Sequence, residues 1–450
     1  MGLYPKVFRK LIFPLLEFSQ GTKIQRYLSW LNKTQWWKSE ELEKLQNKKL
    51  RALIKHAYEN VPYYHNIFRR LNLRPEDIKT KDDLDKLPIL TKKDIRKNLP
   101  NLLAANLPKS RFMERYSSGS TGEPLKYYLD TEAYSYGWAQ TFRCWGWAGF
   151  EVGDPYIKVS LNPRTNFIKK IQDRVMNCTY IYASADIDES TFQSYLKIME
   201  GAKPKIIRGY ASSMYLFARF MEQQGLTFSS SLNAVMTTGE TLFTHWRELI
   251  ESSFNVDVYD GYGAEGTPMA FECEEHSYHK CDETAIIEFL RGDQHVSIGE
   301  MGEIVVTNLD NYAMPLIRYK VGDVGKPAEN YCPCGRGLSI IESIEGRDTD
   351  IIVTPKGGFL VVHFFTILFE YIEGVTQFQV VQEKIDKLKI NIVKNEKFTE
   401  KDFNHIVSWI KKHAGEEMNI DIEFADSIPP TKSGKRRFVI SKVPIDYHWR

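Results

Sequence analysis

The sequence predicts an α/β protein in two parts, a large N-terminal domain over residues 1–347 and a small α+β domain over 348–450. Three observations carry that prediction. Residues 20–75 repeat apolar positions at helical spacing, as in Leu42, Leu45, Leu50, Leu53, Ile54 and Ala57. From about 110 to 325, short β-forming runs alternate with helical stretches, the pattern of an α/β core. After "IESIEGRDTDIIVT" the texture turns to paired alternating runs around one amphipathic segment.

The elements follow in chain order. Lys6, Arg9 and Lys10 precede the apolar run Leu11–Leu16 and imitate a secretion signal, but Glu17 ends the run and no small-x-small site follows. That stretch reads as an amphipathic helix packed on the core, with contact to a membrane surface as the alternative. Residues 1–100 are helical, with Pro62 breaking the pattern in "NVPYYHNIF" and Pro88 and Pro100 punctuating short helices and turns. In the α/β core of 101–347, "DPYIKVSL", "PKIIRGY", "LNAVMTTGE" and "GEIVVTNL" read as strands and "SMYLFARFMEQQG" as a helix. The dense aromatics of "YSYGWAQTFRCWGWAGF" read as core. Beyond 347, "TQFQVVQEKIDKLKINIVKN" reads as a hairpin, "EKDFNHIVSWIKKHAG" as a helix and "NIDIEFAD" as a strand.

Composition narrows the function. The 450 residues exceed what one compact core holds. Sixty basic against 58 acidic residues leave a net charge of +2, which argues against nucleic acid as a partner. No run approaches the ~20 apolar residues of a membrane span. Six cysteines in this length do not make a disulfide scaffold, and the chain reads as cytoplasmic.

"ERYSSGSTGEPLKYY" packs hydroxyls and glycines into Ser117–Gly122 and then returns to β-forming residues. A Walker loop ends in Gly-Lys-Ser/Thr and opens a helix, so this strand–loop–strand is something else. With "IIRGYASSMYLFA", "TTGETL", "DGYGAEG", "MPLIRYKVGDVG", "EGRDTD" and "PPTKSGKRRFV" in this order, the chain resembles the adenylate-forming (acyl-CoA synthetase-like) superfamily. Within it, the chain is similar to the phenylacetate–CoA ligase and capsular-polysaccharide CapK-type branch. The resemblance runs nearly end to end. It implies a large adenylate-forming domain and a small mobile α+β lid, hinged near Asp348–Asp350.

The resemblance also implies roles. Backbone N–H groups and hydroxyls of Ser117, Ser118, Gly119, Ser120, Thr121 and Gly122 would cradle the ATP phosphates. The family usually has lysine where Glu123 stands, and Lys126 could supply that charge instead. Gly239, Glu240 and Thr241 would line the adenine, and Tyr262, before Gly263, would stack near it. Glu265 would ligate Mg²⁺, a hard cation suited to carboxylate oxygen, although "YGAEG" is one residue shorter than the usual pattern. Asp323 would bind the ribose hydroxyls and Arg347 the ribose and α-phosphate. Lys435 would bridge the carboxylate and the α-phosphate during adenylation.

Cys273, His276, His279 and Cys281 form one donor cluster, and Cys332 and Cys334 another. Thiolates and imidazoles in two short clusters suit tetrahedral zinc. The expected ligands are Cys273, His279, Cys332 and Cys334; His279 is preferred because "YH" before a strand-like run matches the resembling branch, and His276 and Cys281 stay open. Cys144 and Cys178 read as core.

The expected function is ATP-dependent activation of a carboxylic acid as its acyl-adenylate, with transfer to CoA. Transfer to an amine or hydroxyl of a sugar in polysaccharide biosynthesis is the alternative. A zinc-stabilised nucleotide-binding protein without catalysis is the alternative of another class. The cofactors implied are ATP, Mg²⁺, structural Zn²⁺ and CoA. A homodimer is compatible with the sequence, which leaves the acid itself open.

Overall fold

The computed structural model describes residues 3–117, 125–160, 164–182, 189–329, 331–347, 352–356, 359–360, 362–370, 372–429 and 437–443. The chain divides into two compact units, Met1–Val321 with Lys326–Ser343, and Gly322–Gly325 with Ile344–Arg450.

In the first unit, β1 (Met113–Tyr116) and β2 (Lys126–Leu129) form an antiparallel hairpin. Strands β3 (Tyr156–Ser160), β4 (Cys178–Tyr182), β5 (Ile206–Gly209), β6 (Ala234–Thr238) and β7 (Asp257–Ala264) lie parallel in the order β4-β3-β5-β6-β7. Helices connect them, as parallel neighbours require. The sheet continues through β8 (Thr267–Glu272), β9 (Tyr278–Lys280), β10 (Ala285–Arg291), β11 (Gln294–His295), β12 (Gly302–Asn308), β13 (Tyr319–Pro327) and β14 (Ile340–Arg347), of which Gly322–Gly325 in β13 and the end of β14 from Ile344 count with the second unit. Among the described residues it has twelve strands, ordered β11-β10-β12-β13-β14-β9-β8-β7-β6-β5-β3-β4.

Alternation along each strand builds two cores. Ile157, Val159, Ile181, Ile207, Val235 and Val258 face the connecting helices, meeting Met214, Phe217, Ile250 and Phe254. Tyr156, Cys178, Ile206, Ala234 and Met236 face the other way, against Phe8, Phe13, Leu31, Phe142 and Trp145. The N-terminal stretch therefore packs through Phe8 and Phe13, while Leu11, Leu15 and Phe18 on the same segment stay exposed. The aromatic run forms the helix Thr131–Trp147, and Phe142 and Trp145 join the core as its density suggests. The long N-terminal helix Ser39–Asn60 ends before Pro62, which opens the next helix.

A buried charge network ties these helices to the loop before β10. The Arg143 guanidinium donates to Glu283 at 2.7 Å, with both side chains fully buried. Thr34 donates to the same carboxylate at 2.8 Å, and Lys49 to the Glu283 carbonyl at 2.7 Å. Glu283→Ala would strand a buried guanidinium, so we expect a loss of roughly 3–5 kcal/mol, read as an earlier first transition in urea unfolding. An unchanged midpoint would contradict this.

The second unit holds β15 (Ile352–Val353) and β16 (Phe359–Leu360), which pair, then the helix Val362–Glu370. β17 (Val375–Lys384) and β18 (Lys387–Lys394) form the hairpin, followed by the helix Glu400–Ala414, β19 (Asn419–Phe424) and β20 (Val439–Ser441). The four-stranded sheet runs β19-β18-β17-β20. Val380, Leu388, Ile390, Ile392, Ile406 and Ile410 are its fully buried core. Thr399 and Asp402 form a reciprocal capping box that starts the helix. The α+β texture read from the sequence is the observed one. No described helix is long and apolar enough to cross a membrane.

Candidate active site and metal centre

Loops at the carboxyl ends of parallel strands are where α/β sheets hold ligands. After β6 the chain turns at Gly239, whose φ of +77° suits a residue without a side chain. Glu240 does not reach outward. Its carboxylate accepts the Ser212 N–H at 3.0 Å and so serves the first turn of the helix Ala211–Gln223. Thr241 follows, half-buried.

β7 carries Tyr262, half-buried, and Gly263, exposed, beside an irregularity in its pairing with β8. It then turns through Glu265 and Gly266, both left-handed (φ +45° and +72°), with Ala264 paired to Thr267. That is a two-residue hairpin of the type that needs positive φ at both positions. The shortness of "YGAEG" is thus the shortness of this turn. Tyr319 donates its hydroxyl to the Glu265 carboxylate. A side chain at Gly266 would meet the Tyr127 hydroxyl at 2.6 Å, so the β1–β2 hairpin packs directly on the turn. Burial, and then the Glu265 charge, push the Tyr127 hydroxyl well above its ordinary value.

The β1–β2 hairpin displays the hydroxyl loop between its strands. Ser117 closes the loop's base: its N–H donates to the Leu125 carbonyl at 2.8 Å, and its hydroxyl accepts the Leu125 N–H at 3.0 Å. The strand–loop–strand reading holds. Ser117 itself is a clasp, and Lys126 is paired with Glu114 at 2.7 Å across the hairpin, so that lysine is engaged locally. Ser118–Gly122, Glu123 and Lys435 lie outside the described residues, as do Asp348–Asp350. Asp323 lies half-buried in β13, within Gly322–Gly325, and Arg347 ends β14.

A carboxylate network under the β6 and β7 loops escaped the sequence analysis. Asp260 accepts hydrogen bonds from Thr237 at 2.5 Å and Tyr278 at 2.6 Å, and its own N–H donates to Glu272 at 2.8 Å. Arg247 binds Glu272 through two contacts at 2.6 and 2.8 Å. Burial, and then the Glu272 charge, push Asp260 up to about 6. "DGYG" named the strand, but nothing local marks its aspartate as a brace.

The metal-ligand types meet at the other end of β8. The Cys273, His279, Cys332 and Cys334 donor atoms all lie within 4.8 Å of one another. Cys273 and Cys332 Sγ are 3.6 Å apart, and Cys334 Sγ is 3.2 Å from His279 Nε2. Bonds of about 2.3 Å to sulfur and 2.0–2.1 Å to nitrogen put tetrahedral zinc ligands at similar separations. His279 Nδ1 lies 3.1 Å from the Leu338 carbonyl, which fixes the ring and turns Nε2 to the cluster. Burial lowers its pKa to about 4, keeping the imidazole neutral as a ligand must be. Burial pushes Cys273 up to about 12. Burial acts the same way on Cys332, but the Cys334 N–H and the Ser277 hydroxyl outweigh it and hold that thiol below its ordinary value. The two alternatives point elsewhere: His276 Nδ1 is 3.2 Å from Arg247, and Cys281 Sγ is 3.9 Å from Arg143.

Around the cluster, Gly337 donates to the Gln35 carbonyl at 2.9 Å, and a Cβ there would sit 1.7 Å from the Trp37 carbonyl oxygen. Arg336 covers the rings of Trp36 and Trp147. The donor set therefore joins the β8–β9 turn, the segment before β14 and the N-terminal helices.

Comparison with known proteins follows the same lines. The family model for the CapK C-terminal domain matches residues 352–442. Protein CapK of Staphylococcus aureus is 26% identical over 418 residues, 90% of each chain. Phenylacetate-coenzyme A ligase of Aromatoleum evansii is 28% identical over 334 residues, 70% of this chain and 72% of that one. The crystal structure of 2-hydroxyisobutyryl-CoA ligase in the postadenylation state superposes with a TM-score of 0.70 at 17% identity, covering 90% of both chains. By sequence the chain is similar to CapK and to the phenylacetate-coenzyme A ligases, and its fold is similar to that of 2-hydroxyisobutyryl-CoA ligase.

Proposed function

We propose that this protein is an adenylate-forming ligase that activates a carboxylic acid with ATP, releases pyrophosphate and transfers the acyl group to CoA. The observation that carries this reading is the meeting of the β1–β2 hairpin, bearing the hydroxyl loop, with the Glu265 turn at the end of β7. The strand that follows the hydroxyl loop thus packs on the turn that carries the cation-ligand candidate. In this reading Ser118–Gly122 hold the phosphates above the Ser117 clasp, and Glu265 holds Mg²⁺. The loop Gly239–Thr241 and Tyr262-Gly263 receive the adenine. Asp323 and Arg347 serve the ribose and α-phosphate. Lys435 bridges the reacting oxygens, carried by a C-terminal domain that hinges near Asp348–Asp350. The four-donor cluster holds zinc with no position left for water, so that metal shapes the fold and takes no chemical step.

CapK is matched over 90% of both chains and through its C-terminal domain. The alternative to CoA is the acceptor that the resemblance to the CapK-type branch implies, an amine or hydroxyl of a sugar.

Exchange of labelled pyrophosphate into ATP tests the reading. Exchange should be near background without an acid and rise at least about tenfold with the right member of a carboxylic acid panel, before any acceptor is added. Tight ATP binding with no exchange for any acid would favour a nucleotide-binding protein without catalysis.

A further inference from the structure

On the face of the parallel sheet that packs against the N-terminal helices, the strands change character toward their carboxyl ends. The first layer, Tyr156, Cys178, Ile206 and Ala234, is apolar core. The next layer, in register across β4, β3, β5 and β6, is Tyr180, Lys158, Arg208 and Met236. Lys158 and Arg208 are thus direct neighbours on adjacent strands, both half-buried.

Their surroundings are aromatic rather than acidic. The Arg208 guanidinium lies 5.4 Å from the Trp145 ring, and the Lys158 ammonium 5.8 Å from the Tyr180 ring. A third cation, Arg164, covers Tyr180 at 4.5 Å and is paired with Asp173 at 2.6 Å. Among the described residues, neither Lys158 nor Arg208 has a carboxylate or a hydrogen-bonding partner. Burial, and then the charges of Arg208 and Arg164, push the Lys158 ammonium down to about 8. Burial also lowers Arg208. Two half-buried cations side by side, with Asp173 as the acidic charge felt by Lys158 and that carboxylate already paired with Arg164, are unfavourable unless an anion completes the site. An open cavity of about 360 Å³, whose lining includes Arg164, Lys170, Arg174 and Tyr180 together with Asp173, the partner of Arg164, adjoins the same strand edge.

The cluster points toward the nucleotide loops. Two residues beyond Arg208, Tyr210 feels both the Arg208 and the Glu240 charges, and Glu240 belongs to the loop after β6. Two residues of strand advance the chain by about 6–7 Å. An acid whose reacting carboxylate lies at the layer of the nucleotide loops would therefore present a group that distance away to Lys158 and Arg208.

We propose that Lys158 and Arg208 form a subsite for a second carboxylate, so that the acid activated is a dicarboxylate with its carboxyl groups about 6–8 Å apart. The proposal rests on the adenylation reading above. Guanidinium and ammonium together match a carboxylate, with the Tyr180 ring beside the ammonium and the Trp145 ring beneath the guanidinium.

The test compares matched acids, hexanoate with adipate and phenylacetate with 4-carboxyphenylacetate, in pyrophosphate exchange. The wild type should prefer the diacid of each pair by at least about tenfold in kcat/KM. Arg208→Met and Lys158→Met should each remove most of that preference through KM, with the monoacid rate within about threefold of the wild type and Arg208→Lys restoring part of it. A wild type that prefers monoacids, or variants that keep the diacid preference, would overturn the proposal. If no acid supports exchange, titration calorimetry with adipate decides. Binding that Arg208→Met abolishes keeps the subsite and removes the adenylation reading, and absence of adipate binding removes the subsite.

Discussion

Glu265→Gln is expected to lower acid-dependent pyrophosphate exchange by roughly 10²–10³-fold, the scale for losing one preorganised charge contact to a reacting phosphate. The substitution is nearly isosteric. An amide oxygen can still accept the Tyr319 hydroxyl and keep the hairpin turn, whose left-handed backbone does not depend on the charge. What disappears is the negative charge that a hard cation requires. The apparent Mg²⁺ requirement should rise with the loss, while the melting temperature stays within a few degrees. Tyr319→Phe, which removes only the group orienting the carboxylate, should cost about tenfold. Unchanged exchange in Glu265→Gln, or a loss matched by unfolding, would assign the glutamate to the turn alone.

The contrast between Glu265 and its surroundings shows what the sequence made legible. Strands such as Tyr156–Ser160 and Ala234–Thr238 were readable because buried parallel strands are short apolar runs bounded by turn residues. The order of the twelve strands was not, because register comes from contacts between residues far apart in the chain. The Cys332-Pro333-Cys334 knuckle announced itself by residue type, and the choice of His279 over His276 followed the family pattern. Lys158 and Arg208 were invisible for the opposite reason: one basic residue in an apolar strand looks like an edge position until β3 and β5 are known to be neighbours. Asp260 and Glu272 were missed likewise, since a brace between strands has no local signature.

The four-donor cluster carries the second large expectation. Protein purified without added metal should contain about one zinc per chain, and Cys332→Ser or Cys273→Ser should lose it. Cys281→Ser should keep it, because that thiol sits against Arg143 and outside the four-donor group. Structural zinc contributes ~10–16 kcal/mol of apparent binding free energy in small peptides. Were even ~3 kcal/mol of that expressed as stability here, the first unfolding transition would fall by about 4 °C in a unit of this size. The loss should be regional. The donors join the β8–β9 turn to the segment before β14, and Gly337 and Arg336 extend the join to Gln35, Trp36 and Trp147. Backbone hydrogen exchange should therefore accelerate in residues 273–280 and 332–340 and at the end of the helix Thr131–Trp147, with the second unit unaffected. Glu265 precedes β8, at the end opposite Cys273, so adenylation should weaken less than stability does. A wild type that is metal-free by elemental analysis, with a melting temperature indifferent to zinc and to chelator, would remove the metal and leave a packed cluster of thiols.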